Sequence, residues 1–218
     1  GWIDIPTRDR IRRLVEFDGQ LIIFCDRSIW SLEGSGWDDF AMRKRADVGL
    51  DAREAVAVTD RLIYFLSSDG VRVLAPNSSF PGLFETLLVS EPVESRLRAI
   101  PSLYRDLAAM GVDHLGRIHL SITRSGQTTN DAALVFDPNL EGALASGFNQ
   151  RRNGWSYYTN FGFSSYFQLK RMGQVGATAY RDAGQLMGCD VTTGKVHYLL
   201  RSSADADLLT DDGSAIAW

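Results

Sequence analysis

Cysteine and histidine are scarce in this chain: its 218 residues hold two of the first and three of the second. Cys25 and Cys189 each lie inside an apolar run, where a small buried hydrophobe is favoured over a disulfide partner. His114, His119 and His197 have no Cys or second His at metal-ligand spacing, so packing across strands or at an interface is expected of His119 and His197 rather than zinc binding. No apolar stretch reaches the roughly 18 residues of a membrane span, and neither a span nor a signal peptide is expected. There is no P-loop, no Rossmann fingerprint and no G-x-S-x-G, and Gly111 and Gly116 are too scattered to cradle phosphate. No cofactor is therefore expected.

Excess positive charge is also missing. The formal net charge is -4, with a sequence pI of about 5.4, which argues mildly against a dedicated nucleic-acid binder. Arginines do cluster at Arg8, Arg10, Arg12 and Arg13, and basic residues again at Arg43, Lys44 and Arg45. Neighbouring acids dilute both runs, so solvated faces are the expected reading.

Apolar residues and repeated patterns are plentiful. Hydrophobic side chains make up 44% of the chain, and its length suits one large all-β domain or two small ones. Residues Gly19 to Leu32 and Asp60 to Leu74 share one pattern: an apolar run, a tight polar turn, then a second apolar run. Each reads as a β-hairpin, and Leu21 to Cys25 reads as a strand buried on both faces. Ser67-Ser68-Asp69-Gly70 carries the Asp-Gly turn signal. Further strands are expected at Ala55–Val58, Arg117–Thr123, Ala132–Phe136, Trp155–Thr159, Ser164–Leu169 and Val175–Tyr180. A last hairpin spans Gln185–Asp190 and Lys195–Leu200. On the strand from Arg117, Ile118, Leu120 and Ile122 share one face, with His119, Ser121 and Thr123 on the other.

The best helix candidate is 91–98, with Ser90 as cap, Pro92 in the first turn and Glu94 facing Arg98. Residues 102–110 are a second short helix or irregular. Residues 33–47, 75–90 and 124–131 read as long loops suited to carrying contacts. Recurring hairpins of this kind define the expected fold class: all-β, a β-propeller-like array of antiparallel blades with one short helix near 91–98. A β-sandwich is the chief alternative. One propeller-like domain over 1–218 is expected. Its abrupt ends, with 213–218 resembling the opening of another strand, mark it as an expected part of a longer chain.

Four segments, taken in order, resemble a family of bacteriophage tail proteins, the propeller-containing structural proteins of tail nozzles and hubs. They are LIIFCDRSIWSLEG from Leu21 and VGLDAREAVAVTDRLIYFLSSDGVRVL from Val48. Then come SEPVESRLRAIP from Ser90 with GRIHLSI from Gly116, and NGWSYYTNFGFSSYFQL from Asn153 with LMGCDVTTGKVHYLL and the terminal TDDGSAI. Two departures stand out. Leu50 occupies a position where many relatives carry Cys, and the chain stops at Trp218 where relatives usually continue. The resemblance implies a non-enzymatic structural protein of the virion tail, arranged as a cyclic homo-oligomer about the tail axis. Its implied partners are other virion proteins, namely tail-tube, adaptor or hub subunits, with transient contact to DNA in a lumen.

Chemical motifs are weaker than this. Asp205, Asp207, Asp211 and Asp212 supply oxygen ligands without EF-hand order, so a solvated turn is expected there. Asp26, Asp69 and Asp190 would be the carboxylates for glycosidase chemistry, but their turn positions already explain them. Aromatics crowd 155–167, directly after Arg151 and Arg152, an enrichment typical of interfaces. Trp37, Arg151, Arg152, Trp155 and Tyr158 are the candidate interface or ligand contacts. Trp30, Phe65 and Tyr198 are the candidate core anchors, with Trp155 eligible for either role. The alternative function is a carbohydrate-binding or glycan-degrading propeller acting at a cell surface.

Overall fold

The computed structural model describes residues 5–6, 8–36, 38–77, 83–113, 115–142, 154–169, 185–190, 193 and 195–198. The chain divides into two compact units, Gly1–Leu97 and Arg98–Trp218. Each unit is built mainly of antiparallel sheet, with short helical turns between strands.

Unit 1 holds two four-stranded sheets whose strands lie side by side in chain order. The first contains β1 (Ile11–Phe17), β2 (Gln20–Cys25), β3 (Ile29–Glu33) and β4 (Ala41–Ala46). The second contains β5 (Val56–Val58), β6 (Ile63–Ser67), β7 (Gly70–Pro76) and β8 (Phe84–Leu88). Asp18 and Gly19 both adopt positive φ between β1 and β2, the backbone that a two-residue hairpin turn requires. In the β6–β7 hairpin the turn residues are Ser68 and Asp69. Gly70 already pairs with Ser67, so it opens the strand instead of sitting mid-turn.

The two sheets share one core. Val15, Phe17, Ile22, Phe24 and Ile29 from the first meet Val56, Ile63, Phe65 and Leu74 from the second. Phe24 and Phe65 pack at 5.3 Å between ring centroids, tilted by 56°. The opposite face of β2 and β3 is also covered: Ile23, Cys25 and Trp30 pack with Ile5, Leu21 and Met42. Two-sided burial explains the unbroken apolar runs that replace alternation in these strands. Trp30 satisfies its indole by donating to Ser28 Oγ at 2.9 Å.

Unit 2 repeats the plan. One sheet has the order β12-β11-β10-β9, where β9 is Ala109–Val112, β10 Ile118–Ile122, β11 Ala132–Phe136 and β12 Trp155–Thr159. The other contains β13 (Ser165–Leu169), β14 (Gln185–Cys189) and β15 (Val196–Tyr198). Every residue of β9, β10 and β11 is buried, whereas β12, at the sheet edge, is buried only at Trp155.

In both units the chain passes between its sheets in the same way. In unit 1, Leu50 donates its N–H to the Cys25 carbonyl and Asp51 donates to that of Leu66, each at 2.9 Å. In unit 2, the Phe163 N–H goes to Ser121 Oγ and the Ser164 N–H to the Cys189 carbonyl, again at 2.9 Å. A glycine precedes each crossing. A Cβ on Gly49 would overlap the Asp26 carbonyl, and one on Gly162 would overlap that of Asn130. Neither glycine has positive φ, so close backbone approach alone sets the requirement. Leu50 is 1% exposed, a core position.

Several expectations need correction. Residues 41–46 and 84–88 are strands, not loop. Both are sheet-edge strands. On β4 the run Arg43-Lys44-Arg45 hides the strand pattern, and such charges are typical of edges that must not pair further. Residues 109–112 form β9, after a 3-10 helix over Ser102–Leu107. Residues 11–17 are also a strand. The helix at 91–98 is a 3-10 turn, Glu91–Val93, followed by an α-helical turn, Glu94–Arg98. Ser90 does not cap it, because its hydroxyl accepts the Val71 N–H at 2.9 Å. The expected strand at 175–180 lies outside the described residues.

Gly49→Ala and Gly162→Ala should each destabilise the protein by about 1–3 kcal/mol through overpacking against backbone. Gly36→Ala, whose Cβ would sit 3.9 Å from Asp39 Oδ1, serves as the control and should change stability little. Urea unfolding of the three variants measures this. Equal effects at all three positions would refute the crossing geometry. Phe65→Ala should cost about 3–5 kcal/mol in the same experiment, since the ring is fully enclosed.

Candidate functional site

β10 carries polar side chains on one face of a wholly buried strand: His119 and Ser121, with Thr123 just beyond. Buried polar groups are stable only when hydrogen-bonded, so each of these needs a partner. The turn between β9 and β10 supplies the first. Asp113, whose side chain is fully enclosed, accepts from the N–H groups of Leu115 at 2.8 Å and Arg117 at 3.0 Å. It also accepts from Arg117 Nε at 2.7 Å and lies 3.0 Å from His119 Nε2. Because the Asp113 carboxylate can only accept, His119 donates to it from Nε2. Nδ1 is buried and has no hydrogen-bond partner among the described residues.

The second partner comes from β13. Tyr166 Oη lies 2.6 Å from Ser121 Oγ, which also accepts the Phe163 N–H. Gly111, opposite His119 on β9, makes this reach possible: a Cβ there would overlap Tyr166. The third comes from the loop before β11. Asn130 Nδ2 donates to the carbonyls of Leu107 at 2.6 Å and Phe163 at 2.7 Å, and Asn130 Oδ1 accepts from Thr123 Oγ1 at 2.9 Å. Both main-chain groups of Phe163 are thus held by buried side chains, fixing the point where the chain passes from one sheet to the next.

The electrostatics agree with a fixed clamp. Burial pushes the Asp113 carboxyl upward, but its bonds to His119 and Arg117 outweigh this and bring its pKa down to about 2. Burial raises the Tyr166 phenol well above its ordinary value, with the bond to Ser121 opposing. Tyr166 therefore stays a neutral hydroxyl. Asp, His, Ser and Tyr are also the groups of acid–base chemistry, but Ser121 is fully enclosed and its hydroxyl is engaged by both Phe163 and Tyr166. The arrangement holds strands together.

The residues singled out as contacts do not gather into one surface among the described residues. Trp155 is 8% exposed and stacks on Phe136 at 4.8 Å between ring centroids. Tyr158, half-buried, lies on the opposite face of β12, because strand side chains alternate. It meets Phe161 at 6.3 Å. Trp37, Arg151 and Arg152 lie outside the described residues, as do His114 and the acidic residues Asp205, Asp207, Asp211 and Asp212. Trp30 and Phe65 are buried. Tyr198 ends β15, with its side chain outside the described set.

The three turn carboxylates each have local partners. Asp26 binds Arg12, with Arg10 at 3.8 Å. Asp69 takes Arg72 Nε at 3.0 Å and Nη2 at 2.6 Å, and this pairing lowers its pKa to about 2. Asp190 accepts from Thr193 Oγ1 at 2.7 Å. Cys25 and Cys189 are free thiols, and burial raises the pKa of Cys25. No group of three His, Cys, Asp or Glu among the described residues is placed to hold a metal ion.

Asp113 and Asn130 carry no signal in the sequence, and Tyr166 stands out there only as one of the aromatics at 155–167. Polar alternation on β10 was a usable signal. It gives the strand a second face, and that face is buried and must find partners. No protein-family model matches the chain, and no curated protein matches it. The fold alone defines its class: a mainly β protein built of antiparallel up-and-down sheets.

Asp113 has a lower pKa folded than unfolded, so its stabilisation is complete above about pH 4 and is lost as pH falls through about 2. Asp113→Asn should therefore lower stability at pH 7 by on the order of 2 kcal/mol. The gap to wild type should close between pH 4 and pH 2 in pH-dependent denaturation. A gap independent of pH would refute the buried charge.

Proposed function

We propose that this chain is a non-enzymatic structural component of a bacteriophage-like tail. In this reading its sheets are blades of a propeller-like array, and its copies form a ring near the tail axis, in the nozzle or hub. The observation that carries the proposal is the serial arrangement of antiparallel up-and-down sheets. Consecutive sheets within each unit are joined by the same glycine-led crossing. Propellers are built from such sheets in radial repetition, and a closed ring removes exposed sheet edges. The ordered resemblance of Leu21–Gly34, Val48–Leu74, Ser90–Pro101 with Gly116–Ile122, and Asn153–Leu169 to tail proteins supports this biological setting. The function is mechanical: stiff sheets with two-sided cores, joined to neighbouring virion proteins through edges and loops. No helix among the described residues is long and apolar enough to cross a membrane.

A glycan-binding propeller at a cell surface is the second reading. The half-buried Tyr158–Phe161 pair and Phe167, 40% exposed, favour it, since partly exposed aromatics can stack on sugars.

Electron microscopy of the purified protein, or of particles containing it, should show several copies around a channel. A particle in which the chain touches no other copy would end the ring reading. Glycan-array binding abolished by Tyr158→Ala would replace it with the second reading.

A further inference from the structure

One corner of unit 1 collects arginines from three separate segments. Main-chain bonding assembles it: Asp26 N–H donates to the Arg10 carbonyl at 3.0 Å, and Leu50 N–H to that of Cys25. Asp9 accepts from Ser28 Oγ at 2.9 Å, which lays residues 8–10 along the β2–β3 turn. Arg13 Nη1 donates to the Arg53 carbonyl at 2.9 Å and binds Glu54 at 3.1 Å, bringing in the segment before β5. The segments that carry Arg8, Arg10, Arg12, Arg13, Arg27 and Arg53 thus lie beside one another, with no lysine among these six residues.

The nearby carboxylates are largely committed. Asp26 holds Arg12, Asp9 holds the Ser28 hydroxyl, and Glu54 holds Arg13. Arg10 is 69% exposed at its side chain and only 3.8 Å from an already occupied Asp26. Arg8, Arg27 and Arg53 are exposed and have no ion-pair partner among the described residues. Short salt bridges account for Arg12 and Arg13, Arg10 has only its 3.8 Å pair with Asp26, and Arg8, Arg27 and Arg53 have none among the described residues. Guanidinium groups bind phosphate through paired N–H donors, and clustered arginines of this kind suit phosphates in series.

We propose that Arg8, Arg10, Arg27 and Arg53 form a contact site for the phosphodiester backbone of nucleic acid. The site reads charge and not sequence, because it offers exposed guanidinium groups on turns and loops, not a helix or ribbon that could enter a groove. The chain's net negative charge keeps such contact weak and local, as befits transient rather than stored binding. The site lies within unit 1 and does not depend on ring assembly, so its failure would leave the tail reading intact.

Fluorescence polarisation of the purified chain with a short DNA duplex tests this. Binding should weaken steeply between about 50 and about 200 mM salt, with a log–log slope of about -3 to -4 for four phosphate contacts. The combined variant Arg8→Ala, Arg10→Ala, Arg27→Ala, Arg53→Ala should lose at least about tenfold in affinity and most of that slope. The pair Arg27→Glu, Arg53→Glu should do the same with only turn and loop residues altered, and Arg61→Ala should bind like wild type. Circular dichroism confirms that each variant is folded. Wild-type protein that fails to bind at the lowest salt, or a four-site variant that keeps the wild-type slope, would overturn the proposal. Polyglutamate of matched charge binding more tightly than DNA would also overturn it, assigning the corner to an acidic protein partner.

Discussion

Burial of the central strands on both faces is the constraint on which the rest of this structure depends. A strand covered on one side tolerates polar residues at every second position, but β2 and β6 have no such freedom, and β10 keeps His119 and Ser121 only because each finds a buried partner. Their apolar side chains face two directions, so material must lie on both sides of each sheet. In unit 1 that need brings two sheets against one core and draws Ile5 and Met42 over the other face of the first. It also forces the connecting chain to run close to the sheet ends. Gly49 and Gly162 are the local cost of that path.

Unit 2 meets the same constraint with a more polar solution. Where unit 1 fixes its crossing through main-chain bonds at Leu50, unit 2 holds Phe163 with Ser121 and Asn130. Buried polar groups contribute little net stability when satisfied but are costly when a partner is lost, so they enforce one arrangement over near alternatives. Asp113 plays the corresponding part in the β9–β10 turn, where a single carboxylate takes two backbone N–H groups and two side chains.

The central hairpins were legible because their cause is local. Apolar runs flanking tight turns announce β2–β3 and β6–β7 whatever surrounds them. The outer strands were not, because β4 and β8 are strands by virtue of their neighbours: Arg43 and Lys44 pair across to β3, and Arg45 falls at a register shift, with no apolar pattern of their own. β1 left one clue, the Asp18-Gly19 turn. The buried clamp was half visible. The alternation of His119, Ser121 and Thr123 could be read, but Asp113 lies in a turn, and Tyr166 lies 45 residues from Ser121 in the chain. The arginine corner was visible only as a diluted basic run. Pairing of Asp9, Asp26 and Glu54 with specific partners is what separates committed arginines from spare ones, and only folding reveals it.

Native-state hydrogen exchange tests the central claim most directly, because it ranks strands by how deeply their hydrogen bonds are enclosed. The slowest amides should be those of β2, β6 and β10, together with the crossing amides of Leu50 and Phe163. The outer strands β4, β8 and β12 should exchange faster. Crossing amides that exchange like open loop, or outer strands protected as strongly as the central ones, would contradict the account.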